Sequence, residues 1–260
     1  MALHQLVRSI RPAPLGAATA RLLGLTKRRV LETQQGIFYV NPCTRLGTDL
    51  LTGVYEPEMV QVLHRHLHAG ATFIDLGANE GYFTVIGSKL VGPGGSVIAI
   101  EPQSRLQPII QENLYLNSCF NVRVLRTVIA ERTGEFSLSL TSDLNTGGSS
   151  IANGRPVRAR TETIRGVSLA DFLTKAAISH CDLMKVDIEG AEYDVFMNAG
   201  DVLRQHTIRR IALEIHNSTL ERRGLSGQDL HRFILDCGYA LDDSLGTWVY
   251  TANSERKCND

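Results

Sequence analysis

From residue 70 onward, short apolar runs rich in Val and Ile alternate with stretches of helical period, and few folds admit that order. A strand that reads as a nearly unbroken apolar run is covered on both faces, as in a parallel sheet whose crossovers are helices. The predicted strands are 72–76, 96–101, 122–125, 183–187 and 208–216. Helices are predicted over 82–90 and 104–117. Beyond a polar excursion come 191–199, where Ala191, Val195, Phe196 and Ala199 share a face, and 226–237, stopped by Gly238. The chain closes with strands at 239–242 and 247–250 around Ser244-Leu245-Gly246, a tight reversal. The fold class is therefore α/β, a doubly wound sheet whose last two strands come from that reversal.

The polar excursion, 135–163, holds two alternating stretches, one with Phe136, Leu138 and Leu140 and one at 156–164, around Gly147, Gly148, Ser149 and Ser150. It reads as a hairpin inserted on one sheet edge, with a mobile tip. Upstream, 36–41 reads as a strand, and 58–68 as a helix with Met59, Val62, Leu63 and Leu67 inward. Residues 1–50 have too few apolar side chains for a core of their own and are expected to cap a domain spanning 51–260.

The 27 basic residues are matched by 27 acids, so no global field recruits nucleic acid, and none is expected as a partner. The balance is uneven, because Arg8, Arg11, Arg21, Lys27, Arg28 and Arg29 meet no acid within the first thirty residues. Such a start is a solvated arm or cap helix; a peripheral membrane contact through it stays open, although Pro12 and Pro14 interrupt it. No stretch approaches the roughly 18 apolar residues of a transmembrane helix. Cys43, Cys119, Cys181, Cys237 and Cys258 are odd in number and widely spaced, which suits buried thiols in a reducing, cytoplasmic setting better than disulfides or a zinc site.

The sharpest motif is Phe73-Ile74-Asp75-Leu76-Gly77-Ala78-Asn79-Glu80-Gly81-Tyr82-Phe83-Thr84, an apolar strand ending in an acid, a glycine-rich turn and a helix start. Gly77 and Gly81 permit the turn and a close approach of ligand to backbone, and the helix start near Tyr82 offers free N–H groups. The spacing D-x-G-x-N-x-G lacks the G-x-G-x-x-G of pyrophosphate turns, and Asp75 would repel phosphates. A ligand with an adenosine, a carboxylate and a cationic centre fits better, and S-adenosylmethionine has all three. The next strand ends Ile100-Glu101-Pro102, where a two-oxygen acceptor can take both ribose hydroxyls. Two more strand ends carry acids. One is Lys185-Val186-Asp187-Ile188-Glu189-Gly190-Ala191-Glu192; the other is Leu213-Glu214-Ile215-His216, where period-two alternation puts Glu214 and His216 on the same side.

In this order and spacing, D-L-G-A-N-E-G-Y-F-T, I-E-P, the N-x-x-x-N of Asn113 and Asn117, K-V-D-I-E-G-A-E and L-E-I-H resemble the FkbM-type S-adenosylmethionine-dependent methyltransferases over roughly residues 50–220. The resemblance implies a Rossmann-like class I methyltransferase fold with a seven-stranded, mostly parallel sheet and an antiparallel last strand. It implies O-methylation of a hydroxyl on a small molecule, a sugar, glycolipid or polyketide-type metabolite, and leaves the acceptor and the oligomeric state open. By position, Asp75, Gly77, Asn79 and Gly81 line the cofactor turn and Glu101 takes the ribose. Tyr55 and Glu56 match the family's Y-E ahead of the first core helix and are expected to close over the cofactor. The first 35 residues and 142–154 match nothing and are the expected substrate-facing parts.

In methyl transfer, alignment of the acceptor oxygen supplies most of the acceleration, and an aliphatic hydroxyl still needs a base. His216 is the first candidate, as a neutral imidazole near pH 7 oriented by Glu214, and Asp187 the second. Alternatively, Asp187, Glu189, Glu214 and His216 hold a divalent metal that acidifies the hydroxyl. Lys185, on the same side as Asp187, pairs with that carboxylate or lowers the hydroxyl's pKa. Two readings from other classes stand beside this one, an RNA-directed methyltransferase and a non-catalytic nucleotide-binding module. Outside the N-terminal arm no basic and aromatic stripe tracks a phosphate backbone, and the candidate base argues against a bare binding module. Trp248, the single tryptophan, reads as core, and His64, His66 and His68 as residues of a helix without a metal.

Overall fold

A computed structural model describes residues 10, 13–142, 144–151 and 160–253. The expectations resting on Arg8, Arg11, Pro12, Cys258, the last residues of 142–154 and the start of the second alternating stretch at 156–159 lie outside the described residues. A helix at Ala13–Leu22 is followed by an antiparallel hairpin of β1 (Arg29–Glu32) and β2 (Ile37–Val40). The chain runs on through β3 (Thr72–Leu76), β4 (Ser96–Ile100) and β5 (Val122–Leu125). It then leaves for a second sheet made of β6 (Val128–Ala130), β7 (Gly134–Leu140), β8 (Ser150–Ile151) and β9 (Arg160–Ser168). It returns as β10 (Leu183–Val186), β11 (Arg210–Leu213), β12 (Tyr239–Asp242) and β13 (Trp248–Ala252).

The central sheet has seven strands in the order β12-β13-β11-β10-β3-β4-β5. All run parallel except β13, which lies antiparallel between β11 and β12, as the sequence predicts for the last strand. Successive side chains of a strand point to opposite faces, and each face has its own core. Phe73 joins Val62, Leu63, Val85 and Ile110 from the Pro57–His66, Tyr82–Val91 and Gln107–Leu116 helices. Ile74 and Leu76 join Phe172, Phe196 and Ile234 from the helices beyond the second sheet. Ser168 and Ser226 start two of those helices, each side chain accepting an N–H three residues on. Cys43, Cys119, Cys181 and Cys237 are buried free thiols. Among the described residues no helix is long and apolar enough to cross a membrane.

The β1–β2 hairpin is bound to this core by the N-x-x-x-N motif. Asn113 Oδ1 accepts from Tyr39 N at 2.6 Å, and Asn117 accepts from Ile37 N at 3.0 Å while donating to Ile37 O at 2.6 Å. Two amides four residues apart on one helix thus act as a neighbouring strand for the open edge of β2. Arg28 adds a fork to Glu80, with Nη1 and Nη2 at 2.7 and 3.2 Å from the two carboxylate oxygens. That part of the basic N-terminal run is therefore a fixed tie, not a solvated arm.

Several expectations change. The inserted segment does not extend the edge of the central sheet. It forms a separate four-stranded sheet, because β9 pairs both with β7 and, in parallel, with the unpredicted β6, closing an apolar cluster of its own. The strand expected at 208–216 ends at Leu213, so Glu214 and His216 lie past it and their positions do not follow from strand alternation; His216 precedes the Asn217–Arg222 helix. The helix expected over 191–199 spans Glu192–Met197, and an unpredicted short helix, Gly200–Arg204, follows it.

The Glu80 side chain is fully buried and Arg28 is its cation. Arg28→Ala leaves an uncompensated charge in the interior and is expected to destabilise the fold by about 3–5 kcal/mol. Chemical denaturation checks this, and a variant as stable as wild type would show that the fork is dispensable.

Candidate active site

The motif from Asp75 to Thr84 folds as its glycines require. Gly77 has a φ of 84°, in the left-handed region that side chains avoid, and a Cβ there would run into the carbonyl oxygen of Asp187 just past β10. Gly77 N and Ala78 N both donate to Ile100 O at 3.0 Å, and Asn79 N donates to Glu101 Oε2 at 2.9 Å, laying the turn against the end of β4. Glu101 Oε1 accepts from Gln103 N at 2.9 Å. Burial, opposed in part by these N–H donors, pushes the Glu101 carboxyl up to about 7.

Gly77, Asn79 and Glu101 line a cavity at the carboxyl edge of the sheet, where the strand order reverses between β3 and β10. Asn79 Oδ1 is buried without a hydrogen-bond partner, and each Glu101 oxygen retains a lone pair beyond the N–H it accepts. Acceptors left open on a cavity wall suit a ligand that brings hydroxyl or amine donors.

Asp187 and Glu189 line the same cavity. Glu189 sits at a φ of 55°, a conformation that an acidic side chain keeps only where its surroundings impose it. They do so through Glu192, whose Oε1 accepts from Ile188 N at 3.3 Å and Gly190 N at 3.1 Å and meets His216 Nδ1 at 2.8 Å. The other imidazole nitrogen, Nε2, lies 3.5 Å from Glu189, 3.6 Å from Asp187 and 4.0 Å from Glu214. Burial works against a charge on His216. The hydrogen bond and charge of Glu192, together with Asp187 and Glu189, outweigh it and push the imidazole up to about 9. The expected orientation by Glu214 gives way to one by Glu192, which meets Nδ1 at 2.8 Å while Glu214 stands 4.0 Å from Nε2, and the surrounding carboxylates favour the protonated ring over the expected neutral one. Burial also pushes Glu189 up to about 7; His216 opposes the shift, and Asp187 and Glu214 add to it. Asp187, Glu189 and His216 each bring one ligand-type atom within 4.8 Å of the others, a group that Glu214 does not join.

Lys185 is buried between both motifs. Its Nζ lies 3.3 Å from Asp75 and 3.8 Å from Asp187 and donates to Gly77 O at 3.2 Å. Burial opposes its charge, but these two carboxylates hold it protonated. Asp75, which also accepts from Thr84 Oγ1 at 2.7 Å, is fully buried and stands behind the cavity wall. Gly81 is likewise off the wall, against Ile110. Tyr55 packs edge-on against Tyr82, and Glu56 pairs with Arg45 at 3.4 Å; neither lines the cavity, and Glu56 lines a second cleft. The inserted loop does reach the cavity, through Thr146, Gly147 and Ser149, because Gln103 Nε2 donates to Thr146 O at 2.9 Å. Sequence reasoning passed over Glu192 and Gln103. Glu192 stands in the K-V-D-I-E-G-A-E motif, which is a usable signal; Gln103 carries none.

The pattern of the methyltransferase FkbM domain family matches residues 75–241. A protein-L-isoaspartate O-methyltransferase of Caenorhabditis elegans is 38% identical over 52 residues, which make up 20% of this chain and 23% of that protein. The chain thus spans under a quarter of that relative. Among solved structures, an FkbM methyltransferase of Methylobacillus flagellatus KT aligns over 74% of this chain and 50% of its own, at 17% identity and a TM-score of 0.45. A fibrillarin of Aeropyrum pernix, solved with S-adenosyl-L-methionine bound, aligns over 88% and 84%, at 14% identity and a TM-score of 0.39.

The folded His216 imidazolium is held to about 9, against roughly 6.5 in an unfolded chain. Its stabilisation is complete below the lower value and is lost as pH rises through the upper one. The Tm difference between wild type and His216→Gln is expected to be widest below pH 6.5 and to narrow toward pH 9. A difference that stays constant over that range would show that the imidazolium is not held.

Proposed function

We propose that this chain, which belongs to the methyltransferase FkbM domain family, transfers the methyl group of S-adenosylmethionine to a hydroxyl of a small molecule. The observation that carries this reading is a single cavity whose wall holds Asn79 and Glu101 together with Asp187 and Glu189. Glu101 takes the ribose hydroxyls on its two oxygens, and Gly77 and Asn79 lie along the nucleoside, the amide oxygen of Asn79 finding there the donor it lacks. S-adenosylmethionine supplies an activated methyl group on a cationic sulfur.

The chain's own residues align the acceptor oxygen and remove its proton. Lys185 and His216 are protonated at neutral pH, and both stand within 3.8 Å of Asp187. Asp187, paired with both cations, serves as the hydrogen-bond acceptor that positions the hydroxyl. Glu189, on the cavity wall with a pKa near the operating pH, takes the proton. Glu192 and His216 hold both carboxylates in place, and a divalent ion at this position would first have to displace the His216 proton. The same concentration of acids disfavours an RNA acceptor, whose phosphates they would repel.

Glu101→Ala is expected to keep the fold by circular dichroism and to weaken S-adenosylmethionine roughly tenfold or more in calorimetry. Unchanged affinity would detach Glu101 from the cofactor. Glu189→Gln is expected to slow labelled-methyl transfer by about 10²-fold or more with near-normal cofactor affinity. In wild type, the rate should rise with pH through about 7 as the carboxylate ionises. A limb that persists in Glu189→Gln would place the base elsewhere.

A further inference from the structure

A second cleft shares no lining residue with the first. Arg45 reaches it from the start of the Arg45–Thr52 helix, Glu56 and Glu58 from the start of the Pro57–His66 helix, Glu214 and Asn217 from just beyond β11, and Trp248 from the start of β13. All these positions lie at the carboxyl end of β11 or beside it, where open α/β sheets take their ligands. Glu214 ties this cleft to the reaction centre. Its Oε1 is 4.0 Å from His216 Nε2, the nitrogen that Asp187 and Glu189 face from the cofactor side at 3.6 and 3.5 Å. One charged cluster is thus approached from two cavities.

The lining of the second cleft selects by charge. Glu56, Glu58 and Glu214 share it with one guanidinium, Arg45, which is already paired with Glu56 at 3.4 Å and Asp49 at 3.8 Å. A phosphate or carboxylate entering here meets an excess of like charge without a free cation among the lining residues. Trp248 is half-buried, packed on His231 with ring centroids 5.2 Å apart, and is one of the residues lining the cleft; the sequence expectation of a plain core residue is incomplete. An indole beside carboxylates and the Asn217 amide matches a ring with hydroxyl groups. The ring's C–H face lies on the aromatic surface while its hydroxyls donate to the carboxylates.

We propose that this cleft receives the acceptor, a hydroxylated ring free of anionic groups, with Trp248 as its platform and Glu214 at the inner end directing one hydroxyl toward Glu189. The proposal rests on the methyl-transfer reading, and the experiment separates the two. Trp248 is the single tryptophan of the chain, so its emission reports on this cleft. The full-length protein is first titrated with S-adenosylhomocysteine by calorimetry. The complex is then titrated with methyl α-glucoside, glucosamine and glucose 6-phosphate while tryptophan emission is followed. A saturable change is expected with the glucoside and glucosamine, and an affinity at least tenfold weaker with the phosphate. Equal or tighter binding of glucose 6-phosphate, or no response to any of the three in a protein that binds S-adenosylhomocysteine, overturns the acceptor assignment alone. Absence of S-adenosylhomocysteine binding overturns the methyl-transfer reading beneath it.

Discussion

One buried ammonium holds the mouth of the sheet together. Lys185 on β10 is in register with Asp75 on β3, and only 2% of its side chain is exposed. Moving a charge into the interior costs several kcal/mol per ion unless its partners are well placed. Here the Asp75 carboxylate, the Asp187 carboxylate and the Gly77 carbonyl converge on it from two strands and the turn between sheet and helix. The Nζ also lies 5.3 Å from the centre of the Phe83 ring, the first turn of the helix that follows. Where β3 ends, where the glycine turn begins and where Asp187 stands are therefore set by the same charge. The acid that closes the first strand is occupied by this pairing, which leaves Glu101 on the next strand as the carboxylate that meets the cavity.

Glu192 does for the second motif what Lys185 does for the first. A single buried oxygen gathers two backbone N–H groups and an imidazole, so the loop from Asp187 to Glu192 and the end of β11 are locked to each other. The lock also fixes a protonation pattern. Four carboxylates, those of Asp187, Glu189, Glu192 and Glu214, lie within 4.0 Å of one imidazolium, and in a partly desolvated site their excess charge is weakly screened. Such a field favours a cationic sulfur on one side and a non-anionic acceptor on the other, and it disfavours polyanions from either.

The strands of the central sheet were legible because a strand covered on both faces must be apolar along its whole length, as Phe73-Ile74 and Ile98-Ala99-Ile100 are. The acids at strand ends were legible because a charge closing such a run has few places to go other than the mouth. The spacing of Asn113 and Asn117 was visible, whereas their service to the β2 backbone was not, since it joins segments about 75 to 80 residues apart. The same limit hid the second sheet. Alternation announces a half-covered strand such as β7 but does not name its partner, and the three-residue β6 is too short to leave a pattern. The protonation of His216 was out of reach for another reason. It is set by the charges of Asp187, Glu189 and Glu192, which belong to another segment of the chain, and a local window of residues around His216 sees none of them.

The inserted sheet settles how the chain divides its two cavities. Its loop is fastened at Gln103 and Arg105, with Arg105 Nη1 donating to Thr141 O at 2.9 Å and Nε to Gln103 Oε1 at 3.0 Å. Gln103 in turn donates its N–H to Glu101. The roof over the first cavity and the carboxylate on its wall are thus positioned by one short segment, so the insertion shapes the end of the cavity that holds Glu101. On the proposed reading, an acceptor that had to pass beneath that roof would disturb the Glu101 contacts that hold the cofactor. The approach past Glu58, Trp248 and Glu214 carries no such penalty, because the residues lining it are supported by the Pro57–His66 helix and by β13. Separate supports for the two walls allow the acceptor side to vary while the cofactor side stays fixed.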